Sequence, residues 1–139
     1  MDKKEALKIV KKDGRELENL PAHFKKDKEF ILESVKEDGT ALKYADKSLK
    51  KDKKIVLEAV KQNGTALKYA DKSFRKDKEI VFEAVKENGH YLKYASDTLK
   101  DDREFVLKVL TNTDWDTSDA LQYTSDSLKD DRKVVLEFV

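Results

Sequence analysis

Asn112, Asp114 and Asp116 stand at the one-three-five spacing with which a calcium loop gathers its oxygen ligands. The pattern then breaks. Thr117 occupies the place where the sharp turn needs Gly, and Tyr123 the place of the bidentate Glu. Calcium binding is therefore not expected. His23 and His90 sit far apart in a chain without Cys, so no zinc site is expected either. No Ser-His-acid or Cys-His set occurs, and the carboxylates do not converge on one stretch. The chain reads as a non-enzyme with no cofactor.

The chemistry that remains is binding chemistry. Lys25-Lys26, Lys50-Lys51 and Arg75-Lys76 recur at one spacing and could line an edge that engages phosphates, roughly 10 Å between pairs if adjacent helices keep normal packing distances. The next two pairs turn acidic at the second member, as Lys100-Asp101 and Lys129-Asp130. A merely solvated edge is the competing account. Tyr44, Tyr69, Tyr94 and Tyr123 recur as well. They form either a packed column or an aromatic platform. Trp115, the only Trp, lies between Asp114 and Asp116. Those three residues suit a partner with an apolar pocket and a basic rim. Alternatively Trp115 folds back as a lid over Val134, Val135 and Phe138.

These residues are placed by a repeat. Asp2, Asp27, Asp52, Asp77 and Asp102 stand 25 residues apart. A unit of that size cannot bury its own apolar side chains and must stack on its neighbours. Each Asp suits a helix N-cap, because its carboxylate can accept from the open N–H groups of the first turn. Apolar residues follow three, four, five, seven and eight positions later, as in Ile55, Val56, Leu57, Ala59 and Val60. That set spans an arc of roughly 200°, wider than a surface helix requires. Glu33 with Lys36, Glu58 with Lys61 and Glu83 with Lys86 are spaced as i,i+3 pairs on the polar face.

Each first helix runs into Asp13-Gly14, Asp38-Gly39, Asn63-Gly64 or Asn88-Gly89, and these are the only glycines. The glycines are expected to close the helix in the left-handed region. A shorter helix is expected next, with Thr40, Thr65 and, in the fifth unit, Asp119 as caps, ending near Leu20 and Ala45. Pro21 sets that end in the first unit. A turn through Phe24, Leu49, Phe74, Leu99 or Leu128, each expected to be buried, leads to the next Asp. Asp102 and Asp131 are 29 residues apart, and the extra length falls in 111–119. The half-unit from Asp131 either caps the stack or begins a longer array. The fold class expected is all-α, an α-solenoid of 25-residue helix–turn–short-helix repeats forming one domain over 1–139.

The phrase D-(K/R)-(E/K)-(I/F)-V-L-x-A-V-x-x-(N/D)-G-x-A-L-x-Y-A, running from Asp27 to Leu128, resembles the tandem helical repeat family catalogued as domain of unknown function 4116. The first unit departs from it at Glu5 and Asn19, and the fifth lacks the Gly. The resemblance implies a tandem-repeat protein of a kind found in bacteria, protists and large viruses, sometimes within multidomain chains. It implies no activity and no site residue.

Charged residues make up 42% of the chain, and the net charge of +1 is unevenly spread. Residues 1–76 carry 21 Lys/Arg against 14 Asp/Glu, and residues 77–139 carry 9 against 15. The first residues are polar and no apolar run is long enough to span a bilayer, so neither a signal peptide nor a membrane is expected. A cytoplasmic protein is expected, or one delivered into another cell by a route not visible in the sequence. The leading expectation is a protein-interaction or scaffold module, monomeric, with end-to-end association left open. The alternatives are binding of nucleic acid or an anionic surface through the basic N-terminal half, and an accessory region of a larger enzyme or effector. Nucleic acid is disfavoured because Asp27, Asp52 and Asp77 directly follow the basic pairs.

Overall fold

The structure, a computed structural model, describes residues 1–112 and 118–131, with side chains in the second stretch from residue 120 onward. Among the described residues five long helices carry the repeat: α1 (Lys3–Lys12), α2 (Lys28–Glu37), α3 (Lys53–Gln62), α4 (Lys78–Glu87) and α5 (Arg103–Thr111). Each begins on the expected aspartate. Asp52, in extended backbone, accepts from Lys54 N at 3.0 Å and Ile55 N at 3.2 Å, and Asp27 accepts from Phe30 N at 3.0 Å. Asp2, Asp77 and Asp102 cap in the same way. No strand occurs among the described residues.

The buried stripe of each long helix is narrower than the sequence implies. Ile55, Val56, Ala59 and Val60 are fully buried, while Leu57 is only half-buried, and Phe82 and Leu107 at the same repeat position are half-buried too. Four positions per helix therefore form the core in α2 to α5, and two, Ala6 and Val10, in α1, while the fifth apolar position lies at the margin. Ser34, where other repeats carry Ile, Ala or Val, is fully buried, and its hydroxyl donates to Phe30 O at 2.8 Å. Of the i,i+3 pairs, Lys36–Glu33 closes at 3.6 Å and Lys86–Glu83 at 2.7 Å. Glu58 with Lys61 forms no such ion pair.

The helix ends correct the sequence expectation most. No glycine has positive φ. Asp38 and Asn63 are extended (φ −145° and −154°), and each does two things at once. Its N–H closes the long helix, donating to Ser34 O and Ala59 O respectively, each at 2.9 Å. Its side chain caps the next element by accepting from Thr40 N at 2.9 Å or Thr65 N at 3.0 Å. That element is a 3₁₀ helix: Gly14–Asn19, Gly39–Tyr44, Gly64–Tyr69 and Gly89–Tyr94 in the four regular repeats. Thr40 and Thr65 are thus inside the helix, not its caps, because the Asp or Asn two residues earlier already holds the first free N–H. Asp119 likewise falls inside a short helix, Ser118–Leu121. The 3₁₀ helices end at Leu20 and Ala45 as expected.

Space explains Gly14 and Gly39 instead. A Cβ on Gly39 would overlap the carbonyl oxygen of Ala59 and come within 3.1 Å of Asn63 N. One on Gly14 would sit 2.7 Å from Asp38 Cβ. In the Met1–Lys72 unit the junction of one repeat thus rests directly on the junction of the next. Gln62 fastens the contact: its Oε1 accepts from Gly39 N at 2.6 Å and its Nε2 donates to Glu37 O at 3.2 Å.

The expected turn before each cap is itself helical, at Ala22–Lys25, Leu49–Lys51, Lys72–Lys76, Asp97–Lys100 and Asp126–Lys129. Phe24, Leu49, Leu99 and Leu128 are buried in it, whereas Phe74 is half-buried rather than buried.

The chain divides into two compact units, Met1–Lys72 and Ser73–Val139. In the first, α1 packs on α2 and α2 on α3, and the three 3₁₀ helices pack on one another in the same order. Its core includes Val10, Leu17, Phe30, Leu42, Ile55 and Leu67. In the second, α4 packs on α5, and Gly89–Tyr94 packs on Ser118–Leu121. Within each unit these elements thus lie against their own copies one period on, and the fold is all-helical and repeat-built. A full burial of one Leu, Ile or Phe is worth about 1.5–3 kcal/mol, so these columns dominate the stability of each unit.

A polar ladder accompanies the core. Within each unit the residue after a cap reaches the next cap: Lys3–Asp27 at 3.2 Å and Lys28–Asp52 at 2.9 Å in the first unit. In the second, Lys78–Asp102 spans 3.1 Å and Arg103–Asp131 spans 2.9 Å. The Asp-Lys or Asp-Arg dipeptide at fixed period is the sequence trace of this ladder.

Candidate functional site

The basic edge is positioned by backbone. In the first unit Asp46 N donates to Lys25 O at 2.9 Å and Asp71 N to Lys50 O at 3.0 Å. In the second, Ser96 N donates to Arg75 O at 2.8 Å and Ser125 N to Lys100 O at 2.9 Å. The short turn that carries each pair is therefore pinned to the following repeat through its first member. That first member is half-buried (Lys25, Lys50, Arg75), and the second is exposed (Lys26, Lys51, Lys76).

The pairs are not equivalent. Lys25 Nζ donates to Glu18 O at 2.8 Å and so closes the 3₁₀ helix Gly14–Asn19; Lys100 does the same at Lys93 O, 3.1 Å away. Asp46 accepts from the Ser48 hydroxyl at 2.7 Å and from Ser48 N at 3.1 Å. These bonds, with the nearby charges of Lys26 and Lys50, hold its carboxyl below the usual carboxylate range. Asp101 takes a different partner set: the hydroxyls of Ser125 and Ser127 donate to it at 2.5 and 2.6 Å and lower its pKa. In the second unit this position has become an acid bonded to serines.

Lys50 and Lys51 are the members that open onto a cavity. Together with Lys47, Lys72, Tyr69 and Asp71 they line a hollow of about 440 Å³ in the first unit. Burial, with the like charge of Lys47 second, pushes the Lys50 ammonium below its ordinary value, and Asp46 offsets part of this. None of the four ammonium groups is in an ion pair among the described residues. The neighbouring cap Asp52 does not quench them, because Lys28 Nζ holds it at 2.9 Å.

Lys47 and Lys72 were not visible as site residues from the basic pairs alone. Their signal is the tripeptide Asp-Lys-Ser at 46–48 and again at 71–73, one period apart. The same repeat position holds Ala22, Asp97 and Asp126 in the other units, so two lysines in succession occur only around this hollow.

The tyrosines are half-buried, and lysines cover three of them. Lys43 Nζ lies 5.5 Å from the Tyr44 ring centroid, and Lys68 and Lys93 each lie 5.0 Å from those of Tyr69 and Tyr94. Rings with one face on the protein and a lysine over them suit packing better than base stacking. Tyr123 differs: its hydroxyl is 3.2 Å from His90 Nδ1, and its ring meets His90 edge-on at 5.2 Å. Lys93 Nζ lies 3.1 Å from His90 Nε2, so both ring nitrogens are engaged. His23 packs against Phe24 with ring centroids 4.1 Å apart.

Asn112 spends its amide on Lys108 O at 2.8 Å, closing α5. Asp114, Trp115 and Asp116 lie outside the described residues, as do Val134, Val135 and Phe138. Among the described residues no three His, Cys, Asp or Glu come together as metal ligands. No described helix is long and apolar enough to cross a membrane.

No curated protein and no solved structure matches the chain. One family does, described as a domain of unknown function (DUF4116), and it matches residues 2–47, 27–75 and 77–115. Those matches take in the Asp caps, the Asp/Asn-Gly junctions and the tyrosines of the regular repeats. The chain belongs to this DUF4116 family of helical repeats.

Proposed function

We propose that this chain is a non-catalytic protein-interaction module, and that the basic edge of the Met1–Lys72 unit takes an acidic segment of a partner protein. The observation that carries the reading is the hollow at Lys50 and Lys51, which four lysines line with no ion pair of their own among the described residues. Lys3 and Lys28 of the same unit, by contrast, are held in ion pairs with the caps Asp27 and Asp52. The unit as a whole supports the same polarity, with 19 Lys/Arg against 14 Asp/Glu in residues 1–72. A regular repeat also presents its surface groups at fixed intervals, which suits an extended ligand. In this reading the protein acts as a scaffold, is monomeric, and carries no reaction.

Calorimetric titration with a short Glu-rich peptide and its Gln counterpart tests this. The Glu peptide should bind about tenfold tighter or more, and the double variant Lys50→Glu/Lys51→Glu should abolish the difference. Equal affinity of the two peptides would remove the support for an acidic partner.

A nucleic-acid reading is the second, favoured by the same unpaired lysines. It is weakened because the lysines gather at one hollow of about 440 Å³ and not along an extended track. Micromolar binding to a mixed-sequence duplex with a steep salt slope would put it first.

A further inference from the structure

We infer that the hollow formed by Lys47, Lys50, Lys51, Lys72, Tyr69 and Asp71 is a receptor for a single phosphoryl group carried on a side chain of the partner protein. This rests on the reading of the chain as a protein-interaction module and narrows its ligand. Four lysines against one aspartate leave the lining with a formal charge of +3. A phosphorylated side chain brings a charge of about −1.5 to −2 and three acceptor oxygens. A lone carboxylate brings −1 and two oxygens. Each lysine offers three mobile donors and binds phosphate as a point charge, so a ring of lysines needs no fixed fork geometry. The volume, about 440 Å³, is that of a small-ligand site and far below the footprint of a duplex.

Two further facts favour a point ligand over a polymer. The quartet is not repeated along the chain, because the position of Lys47 and Lys72 holds Ala22 one repeat earlier and Asp97 one repeat later. Within the unit the nearest comparable pair is also compromised, with Lys25 bound to the Glu18 carbonyl. Charge is therefore focused at one place. It is also only partly relieved: Lys50 is partly desolvated and sits beside the like charge of Lys47, with Asp46 offsetting part of this. An anion entering the hollow would offset both, since none of the four lysines is held in an ion pair among the described residues.

The test is an amide-resolved NMR titration of the full chain with a short Gly/Ser peptide carrying one phosphoserine. The serine and glutamate versions, inorganic phosphate and a mixed-sequence duplex serve as the other arms. The phosphopeptide should move the amides of Lys47, Lys50, Lys51, Tyr69 and Lys72 and bind about tenfold tighter than the glutamate version, as expected for a doubled charge and added hydrogen bonds. Lys47→Gln and Lys50→Gln should each remove that preference. Lys61→Gln, at an exposed position on α3, should leave it intact, and thermal midpoints should stay unchanged in all three. Equal binding of phosphoserine and glutamate peptides would overturn the phosphoryl assignment and leave the acidic-segment reading standing. Inorganic phosphate binding as tightly as the phosphopeptide would overturn the partner-protein source. Shifts spread over the whole edge with duplex, or no shifts with any probe, would overturn both readings.

Discussion

Gly39 has an ordinary backbone, yet no other residue fits there. Its missing Cβ is what lets the Gly39 junction lie on the Ala59 carbonyl, with Gln62 bonded across. Gly39→Ala should therefore destabilise by about 1–3 kcal/mol in denaturant titration, the range for forced overpacking. A neutral or stabilising effect would contradict the close approach. Asp52 and Lys28 form one rung at 2.9 Å, but their contributions differ in kind. Asp52 also holds two N–H groups of α3, so Asp52→Ala should cost about 1–2 kcal/mol, as for loss of a good N-cap. Lys28 has an exposed side chain and only the ion pair at stake, so Lys28→Ala should cost at most about 0.5 kcal/mol. Equal losses would mean that the ladder, not the cap, holds the helix start.

At the element scale the caps also set the acid response. Asp27 and Asp102 are held below the ordinary value of 3.8 chiefly by the N–H groups of Phe30 and Phe105. Asp52 is lowered chiefly by the Lys28 ammonium. Carboxyls with depressed values stabilise the fold in full above the unfolded value, and the gain is lost as pH falls through the folded one. Stability should thus change little in the caps' contribution down to about pH 5 and fall below about pH 4. A denaturation midpoint that stays level from pH 5 to pH 2.5 would contradict cap ionisation as the cause.

How far the elements could be read beforehand follows from what each depends on. Asp27 and Ile55 announce themselves, because an N-cap and an apolar face are local patterns. The role of Gly39 does not, since Asp-Gly looks the same whether the glycine turns left-handed or simply makes room for Ala59. The 3₁₀ form of Gly39–Tyr44 is likewise hidden, as six residues with apolar Ala41 and Leu42 fit either helix. Lys25-Lys26 was legible as a basic pair, but not that Lys25 is committed to a carbonyl. Lys47 and Lys72 join Lys50 only because the short turns bring successive repeats together.

For the whole molecule the account comes down to one claim, that the Met1–Lys72 unit binds an acidic ligand by direct contact at the Lys50 hollow. Net charge alone would attract anions to this unit weakly and without a fixed position, and such attraction would fade with salt. Direct contact leaves a different mark, a coupling between particular charges. The most direct measurement is a double-mutant cycle on the full chain, pairing Lys50→Gln or Lys51→Gln with loss of a single acidic group on the bound peptide. The account predicts a coupling of about 1 kcal/mol or more for one of these pairs, and near zero for the control Lys61→Gln. Additive losses at every lysine, with no pair coupled above about 0.3 kcal/mol, would contradict it.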